Sequence, residues 1–227
     1  MDAFDGNPLD LSNATPAMEG KLFSTKDFGW KLSEWSISDC PILLVTGLSG
    51  SGKTTLAREI ADDHSAILIQ LDWYDYYGRY EVGVDDPDYT GWTFVRDAAK
   101  AAGTTETTYK EPIAKRYQTF LTFWNLLIDQ LYTEGRLFVV EGIKIYEFVA
   151  LEPEKHNWDF YQMPIIVKGT SATRSWWQRS KRDGHVTIGG EHANAFKALR
   201  TWFGADKRLQ SLVEKLCEHS NPQPVAF

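Results

Sequence analysis

Residues 47–54 read Gly47-Leu48-Ser49-Gly50-Ser51-Gly52-Lys53-Thr54, a glycine-rich stretch that ends in lysine and threonine. It matches the phosphate-binding pattern G-x-x-x-x-G-K-[ST]. Residues 41–46, just before it, are mostly apolar and predict a buried strand, and residues 55–61 predict a helix. A strand, a glycine loop and a helix in this order form the context in which the pattern binds phosphate. We therefore expect the rest of the domain to be organised around residues 47–54.

The residue types of the loop predict its chemistry. Glycines let successive main-chain N–H groups point at phosphate oxygens, and the following helix adds the positive end of its dipole. Lys53 is expected to contact the β- and γ-phosphates, and the Thr54 hydroxyl to bind Mg²⁺. The sequence thus predicts an ATP and Mg²⁺ site, with these nucleotide-binding residues: Gly47, Ser49, Gly50, Ser51, Gly52, Lys53, Thr54 and Thr55.

Length and composition restrict the class of protein. The chain has 227 residues, 43% hydrophobic and 24% charged, which suits one sizeable α/β domain. Its net charge of −7 disfavours a nucleic-acid partner. Cys40 and Cys217 cannot build a disulfide framework. No apolar run approaches ~20 residues and no signal core is visible, so we expect a cytoplasmic protein without a membrane partner.

Two more apolar stretches end beside an acid. Residues 66–71 predict a second strand, with Asp72 directly after it, and residues 137–142 predict a third strand that carries Glu141 near its end. Ligands of open parallel sheets bind outside the carboxyl ends of the strands, so both carboxylates are expected to face the phosphate loop. An acid placed there is a ligand of Mg²⁺-bound water or an activator of the nucleophile. The alternative for Asp72 is a helix N-cap or a turn residue, and the alternative for Glu141 is a turn residue.

The stretch 73–92 is rich in aromatic and acidic residues and is interrupted by glycines and Pro87. This composition predicts a long binding loop or lid. Its aromatic rings offer flat faces to a ring-shaped substrate, or alternatively seal the loop against the body of the domain. Residues 93–102 predict a short helix, and Pro112 is expected to be the first residue of a long amphipathic helix that Gly135 ends.

Basic residues follow the fourth predicted strand, residues 163–168. Arg179 and Arg182 lie three residues apart in a helical stretch and so share a face. Arginines beside a transferring phosphate neutralise the charge that develops in the transition state. The alternative is a solvated basic face.

These features predict an α/β protein with the three-layer P-loop NTPase fold. We expect a mostly parallel five-stranded sheet with helices on both faces and an arginine-bearing lid, the last strand lying near residues 225–227. Residues 1–38 are expected to form an N-terminal arm and residues 39–227 a P-loop kinase domain. The guanine-reading N-K-x-D segment of GTPases and the L-S-G-G-Q segment of transporter ATPases are both missing from the sequence, which favours a small-molecule kinase.

Four segments resemble the uridine kinase and nicotinamide riboside kinase group of P-loop kinases, over roughly residues 40–205. They are GLSGSGKTT at 47–55, QLDWY at 70–74, VVEGI at 139–143 and RSKRD at 179–183. The resemblance implies ATP-dependent phosphorylation of a nucleoside-like substrate. It implies that Asp72 is the catalytic base, that Thr54, Asp72 and Glu141 hold Mg²⁺, and that Lys53, Arg179 and Arg182 act on the phosphates. Tyr74, Tyr77 or Trp92 would then face the base ring.

The sequence departs from that group at two places. Thr93 follows Trp92 where those kinases have an acid that grips the ribose, and Leu71 separates Gln70 from Asp72. Either Asp85, Asp86 or Asp88 replaces that acid, or the substrate lacks that ribose. The acceptor is therefore open between a nucleoside and a sugar, vitamin or other metabolite, and a non-catalytic ATP-binding regulator is a third alternative. The expected partner is a small molecule, and the chain is expected to be a monomer or a homo-oligomer.

Overall fold

The computed structural model describes residues 40–80, 90–105, 107–108, 111–145, 163, 165–168, 187–188, 191–192, 207 and 225–226. The helices and strands in these ranges follow the order β1 (Ile42–Gly47), α1 (Lys53–Asp63), β2 (Ile67–Gln70), α2 (Asp72–Tyr80), α3 (Thr90–Ala101), α4 (Ile113–Thr133), β3 (Phe138–Glu141), β4 (Ile165–Lys168), β5 (Thr187–Ile188), β6 (Glu191–His192) and β7 (Val225–Ala226).

The central sheet is parallel and has the strand order β2-β3-β1-β4-β7. Strand β1 lies in the middle and pairs with β3 on one side and with β4 on the other. The two-residue strand β7 pairs in parallel with β4. Strands β5 and β6 form a separate antiparallel pair. The predicted α/β class with a parallel sheet is confirmed, as are the four main strands to within a residue or two at their ends.

Helices cover both faces of the sheet because the strands are apolar on both sides. Alternate residues of β1 separate into two clusters: Leu43 and Val45 pack against α1, whereas Ile42 and Leu44 pack with residues of α2, α3 and α4. Strands buried on both faces are typical of parallel sheets. The larger cluster contains the fully or almost fully buried Phe123 and Trp124 of α4. This arrangement fixes β1 in the interior of the domain and so fixes where the loop after it begins.

The stretch after β2 is not the long loop that its composition predicts. Residues 72–80 form α2, and α3 begins at Thr90 rather than at residue 93. Trp73, Tyr74 and Tyr77 pack on the larger cluster, with Tyr74 only 4% exposed. Burial of these rings outweighs the low helix propensity of aromatic residues and of Gly78. Residues 81–89 lie outside the described part of the chain.

Proline and glycine set the two ends of helix α4. Pro112 is the residue before α4 and not its first residue, and its carbonyl oxygen accepts from the N–H groups of Lys115 and Arg116. Gly135 follows the end of α4 with a positive φ of 66°, as predicted for a helix-ending glycine. Across the described residues, no helix combines the length and hydrophobicity needed to span a membrane.

Several predictions concern residues outside the described ranges. These are the N-terminal arm and its boundary at residue 38, and the arginine lid with Arg179 and Arg182.

Candidate active site

The candidate active site lies at the carboxyl edge of the central sheet. Because the strands are parallel, β1, β2 and β3 all end at this edge. Gln70 and Val45 both pair in register with Glu141, so the ends of the three strands lie side by side. The glycine loop follows β1, and Asp72 follows β2 after one residue. The fold thus brings the loop and both predicted acids to one edge, which is where ligands bind in open parallel sheets.

The loop has the backbone that its glycines predict. Gly47, Gly50 and Gly52 have positive φ values of 149°, 85° and 89°. A Cβ atom on Gly47 would overlap the Lys168 carbonyl oxygen of the neighbouring strand. Gly52 is the cap residue of α1, and the first main-chain hydrogen bond of this helix runs from Leu56 N–H to its carbonyl oxygen. The preceding N–H groups of α1 therefore have no partner within the helix and are oriented to receive an anion.

Glu141 contacts Thr54, the last residue of the glycine-loop motif. The Thr54 hydroxyl donates a hydrogen bond of 3.1 Å to Glu141 Oε1. Glu141 is 2% exposed, and its second carboxylate oxygen, Oε2, is buried without a hydrogen-bond partner among the described residues. A buried polar atom left unpaired costs free energy, so such an atom at a site indicates that a ligand completes it. The Ser51 hydroxyl is also buried without a hydrogen-bond partner among the described residues, and Ser51 as a whole is 8% exposed.

Charges converge on Glu141. Burial raises the pKa of its carboxyl group, and the Asp72 charge adds to that increase, whereas Lys53, the Thr54 hydrogen bond and Arg58 lower it. Lys53 itself is 7% exposed. The charges of Lys53 and Asp72 thus both act on the Glu141 carboxylate. The structure thus brings together Lys53, Thr54, Asp72 and Glu141, four residues that the sequence placed in one site.

The position of Asp72 depends on two close contacts behind it. Leu71 is fully buried, and its main-chain N–H donates a hydrogen bond of 2.9 Å to the Glu141 carbonyl oxygen. A Cβ on Gly142 would lie 2.8 Å from Leu71 Cβ, so only glycine fits against that side chain. Leu71 therefore anchors the start of α2, and the next residue, Asp72, is exposed at the carboxyl edge. The extra residue between Gln70 and Asp72 has this structural reason.

The aromatic residues predicted to face a substrate are placed differently from one another. Tyr74 and Trp92 are 4% and 6% exposed and belong to the larger core cluster, whereas Tyr77 is partly buried against it. The ring centroids of Tyr77 and Trp92 are 6.3 Å apart. Tyr74 and Trp92 thus follow the alternative prediction, in which these rings pack against the body of the domain. A substrate contact by Tyr77 stays a prediction.

Two residues near the site were missed by the sequence reasoning. Arg58 lies one helical turn after Thr54, and its charge acts on Glu141. Its spacing of four from Thr54 was the available signal. Lys144, three residues after Glu141, forms an ion pair with Asp75 of α2, with 2.7 Å between Nζ and Oδ1. Nothing in the sequence signals that pair, because it joins residues far apart in the chain.

The chain is thus a parallel α/β protein in which a glycine-rich loop with the sequence pattern of a phosphate-binding loop lies at the carboxyl edge of the sheet. No model of a known protein family matches the chain, and no curated protein matches it.

Solved structures with weak similarity exist. A shikimate kinase from Acinetobacter baumannii, in complex with shikimate, is 16% identical over 76% of this chain and 79% of its own, with a TM-score of 0.41. A gluconokinase from Sinorhizobium meliloti 1021 is 15% identical over 83% and 82%, with a TM-score of 0.38. An uncharacterized protein from Eubacterium ventriosum is 14% identical over 82% and 88%, with a TM-score of 0.39. Two of the three are kinases by name, at a similarity too low to assign an activity.

Proposed function

We propose that this protein is an ATP-dependent kinase that transfers the γ-phosphate of ATP to a hydroxyl group of a nucleoside-like small molecule. The observation that carries the proposal is the convergence of Lys53, Thr54, Asp72 and Glu141 at the end of the glycine loop. A protein that only binds a nucleotide needs the loop but needs no exposed acid beside it. An acid that accepts a proton from the attacking hydroxyl is what a phosphotransferase adds.

The oxygen ligands of the site fit Mg²⁺. This ion prefers carboxylate and hydroxyl oxygens, and the Thr54 hydroxyl, the unpartnered Oε2 of Glu141 and the exposed Asp72 carboxylate supply them. Thr54, Glu141 and Asp72 are therefore the residues proposed to hold the ion, directly or through water. When bound, Mg²⁺ neutralises negative charge on the phosphates.

The chain's own residues supply the remaining steps. The loop amides and the ammonium group of Lys53 bind the phosphates and hold the γ-phosphate in line with the acceptor. Asp72 accepts the proton of the acceptor hydroxyl while the oxygen of that hydroxyl forms the new bond to phosphorus. The bond between the β- and γ-phosphates breaks at the same time and releases ADP. Arg179 and Arg182, outside the described residues, are proposed to neutralise the developing charge.

One observation favours an acceptor other than a nucleoside. Thr93 is an exposed threonine in the first turns of α3, at the position where an acid would grip a ribose. A sugar, vitamin or other metabolite without that ribose is therefore the second candidate acceptor.

The test is ADP release on addition of single acceptors. Uridine, cytidine, nicotinamide riboside, pantothenate and simple sugars form the panel, each with ATP and Mg²⁺. We expect one class to raise ADP release well above the rate with ATP alone. Binding of ATP and Mg²⁺ with no acceptor raising turnover would instead identify a nucleotide-binding regulator.

Two substitutions test the assigned roles. Asp72→Asn should lower kcat by roughly 10²- to 10⁴-fold, since a general base contributes that much, and ATP affinity measured in chelator should be unchanged. Asp62→Asn, an exposed acid near the far end of α1, is the matched control. Lys53→Met should weaken ATP binding itself, whereas Lys100→Met, on the exposed last turn of α3, should not. Full turnover by Asp72→Asn would show that the base is another residue.

A further inference from the structure

Lys144 is a largely buried cation close to the candidate site. Its side chain is 14% exposed, and its ammonium group forms the 2.7 Å ion pair with Asp75, whose side chain is 30% exposed. The same Nζ atom lies 4.9 Å from the centroid of the Phe120 ring and 5.3 Å from that of Tyr74. A carboxylate on one side and two aromatic faces on others compensate a lysine for the loss of water.

The ion pair joins the end of β3 to α2. Lys144 follows Glu141 by three residues, and Asp75 lies one turn after Asp72 on α2. Residues three apart in a helix lie on the same face, so a contact that fixes the direction of Asp75 also limits the rotation of Asp72. The main chain supplies a second attachment, from Leu71 N–H to the Glu141 carbonyl oxygen. The segment 141–144 thus holds α2 at two points.

The aromatic contacts make this attachment rigid. The Tyr74 and Phe120 rings meet edge to face with their centroids 5.2 Å apart. The centroids of the Tyr74 and Phe123 rings are 4.5 Å apart. Lys144 lies over this packed group, so its ammonium group has little freedom to follow a shift of α2. A rigid support behind a ligand residue is what keeps that residue in its productive geometry.

We propose that Lys144 is a positioning residue, which through Asp75 orients α2 so that the Asp72 carboxylate faces the metal and phosphate site formed by Thr54 and Glu141. The proposal rests on the proposed function, because it assigns a supporting partner to Asp72. It adds a residue that the loop and strand motifs do not contain.

The test measures how strongly a metal ion improves ATP binding, and it needs no knowledge of the acceptor. ATP affinity is determined by calorimetry with chelator alone and with Mn²⁺, and the ratio of the two dissociation constants is the metal-dependent gain. The variants are Lys144→Met, Lys144→Arg, Asp75→Asn and the double variant Lys144→Met/Asp75→Asn. Asp72→Asn gives the reference loss, and Lys100→Met is the matched lysine control.

We expect Lys144→Met and Asp75→Asn each to lower the metal-dependent gain by roughly tenfold, as loss of a supporting partner of a metal ligand does. The double variant should lose no more than either single variant, because both break the same pair. Lys144→Arg should keep most of the gain, and ATP affinity in chelator should be unchanged throughout because the loop is intact. This pattern separates positioning from a general loss of stability, which thermal melts record in parallel.

Three results would overturn the proposal in distinguishable ways. A reduced gain in Asp72→Asn with a full gain in Lys144→Met and Asp75→Asn would refute the positioning role and leave the proposed function standing. A full gain in Asp72→Asn would remove the metal role of Asp72, and the positioning role with it. Losses in the two single variants that multiply in the double variant would show that the residues act independently.

Discussion

The phenol of Tyr74 allows a quantitative test of how the start of α2 packs. Tyr74 is 4% exposed, and burial raises the pKa of its hydroxyl from 10.0 to about 12. The Thr104 hydroxyl opposes this increase, and the Asp75 charge adds to it. The contact with Thr104 is weaker than a full hydrogen bond, because neither hydroxyl oxygen meets the geometry of a bond with a partner among the described residues.

The consequence is a loss of stability in alkali. A native-state pKa above the unfolded value stabilises the fold fully below pH 10, and this stabilisation is lost as the pH rises through 12. A difference of two units amounts to about 2.7 kcal/mol in the limit, and to about 1.4 kcal/mol at pH 11. Tyr74→Phe removes the ionisable group, so its free energy of unfolding should fall by that much less between pH 8 and pH 11.

The assay is urea unfolding of wild type and Tyr74→Phe at pH 8 and pH 11, followed by far-UV circular dichroism. The measured quantity is the difference between the two proteins in their change with pH, which cancels the effects of all other titrating groups. Tyr132→Phe, at a 45% exposed position of α4, is the matched control. Parallel behaviour of wild type and Tyr74→Phe over this range would refute the burial of the phenol, and with it the packing of α2 on α4.

Three further predictions follow from the site and the core. Burial raises the pKa of the Glu141 carboxyl group, so the stability that this group contributes to the wild type is lost as the pH rises through that pKa. The free energy of unfolding of Glu141→Gln, relative to wild type, should therefore increase from pH 4 to pH 8 in chemical denaturation. The same variant should lose phosphotransfer. Gly47→Ala should destabilise the protein by about 2 kcal/mol or more, because its Cβ overlaps the Lys168 carbonyl oxygen, and more than Gly103→Ala, whose φ is also positive but whose surroundings are open. Trp124→Ala, at a 1% exposed position, should cost roughly 3–5 kcal/mol in urea unfolding, and an unchanged midpoint would contradict its place in the core.

The central part of the fold could be predicted because its signals are local. The strand before the loop, the loop glycines with positive φ and the helix after them are encoded within residues 41–63. The end of α4 could likewise be predicted, because it depends on the backbone conformation of one residue, Gly135. The carboxyl edge could also be predicted, since an acid directly after a buried strand lies there in any parallel sheet.

Helix α2 could not be predicted from residues 72–80 alone. Their aromatic residues and Gly78 favour an irregular conformation, and the helix forms because Tyr74 finds Phe120 and Phe123 on α4. A sequence pattern does not state which distant surface a ring will pack on. For the same reason the resemblance implied that Tyr74, Tyr77 or Trp92 faces a substrate, whereas the Tyr74 and Trp92 rings are buried in the core.

The phosphate loop, the apolar strands beside it and the two acids at the strand ends can all be recognised without a structure, because each depends on residues adjacent in the chain. Only the tertiary structure placed β3 between β1 and β2, which brings Glu141 to Thr54 across 87 positions of sequence. It alone also paired Lys144 with Asp75. Periodicity reports that a side chain is buried, but the partner is chosen by strand order and packing, which involve the whole chain at once.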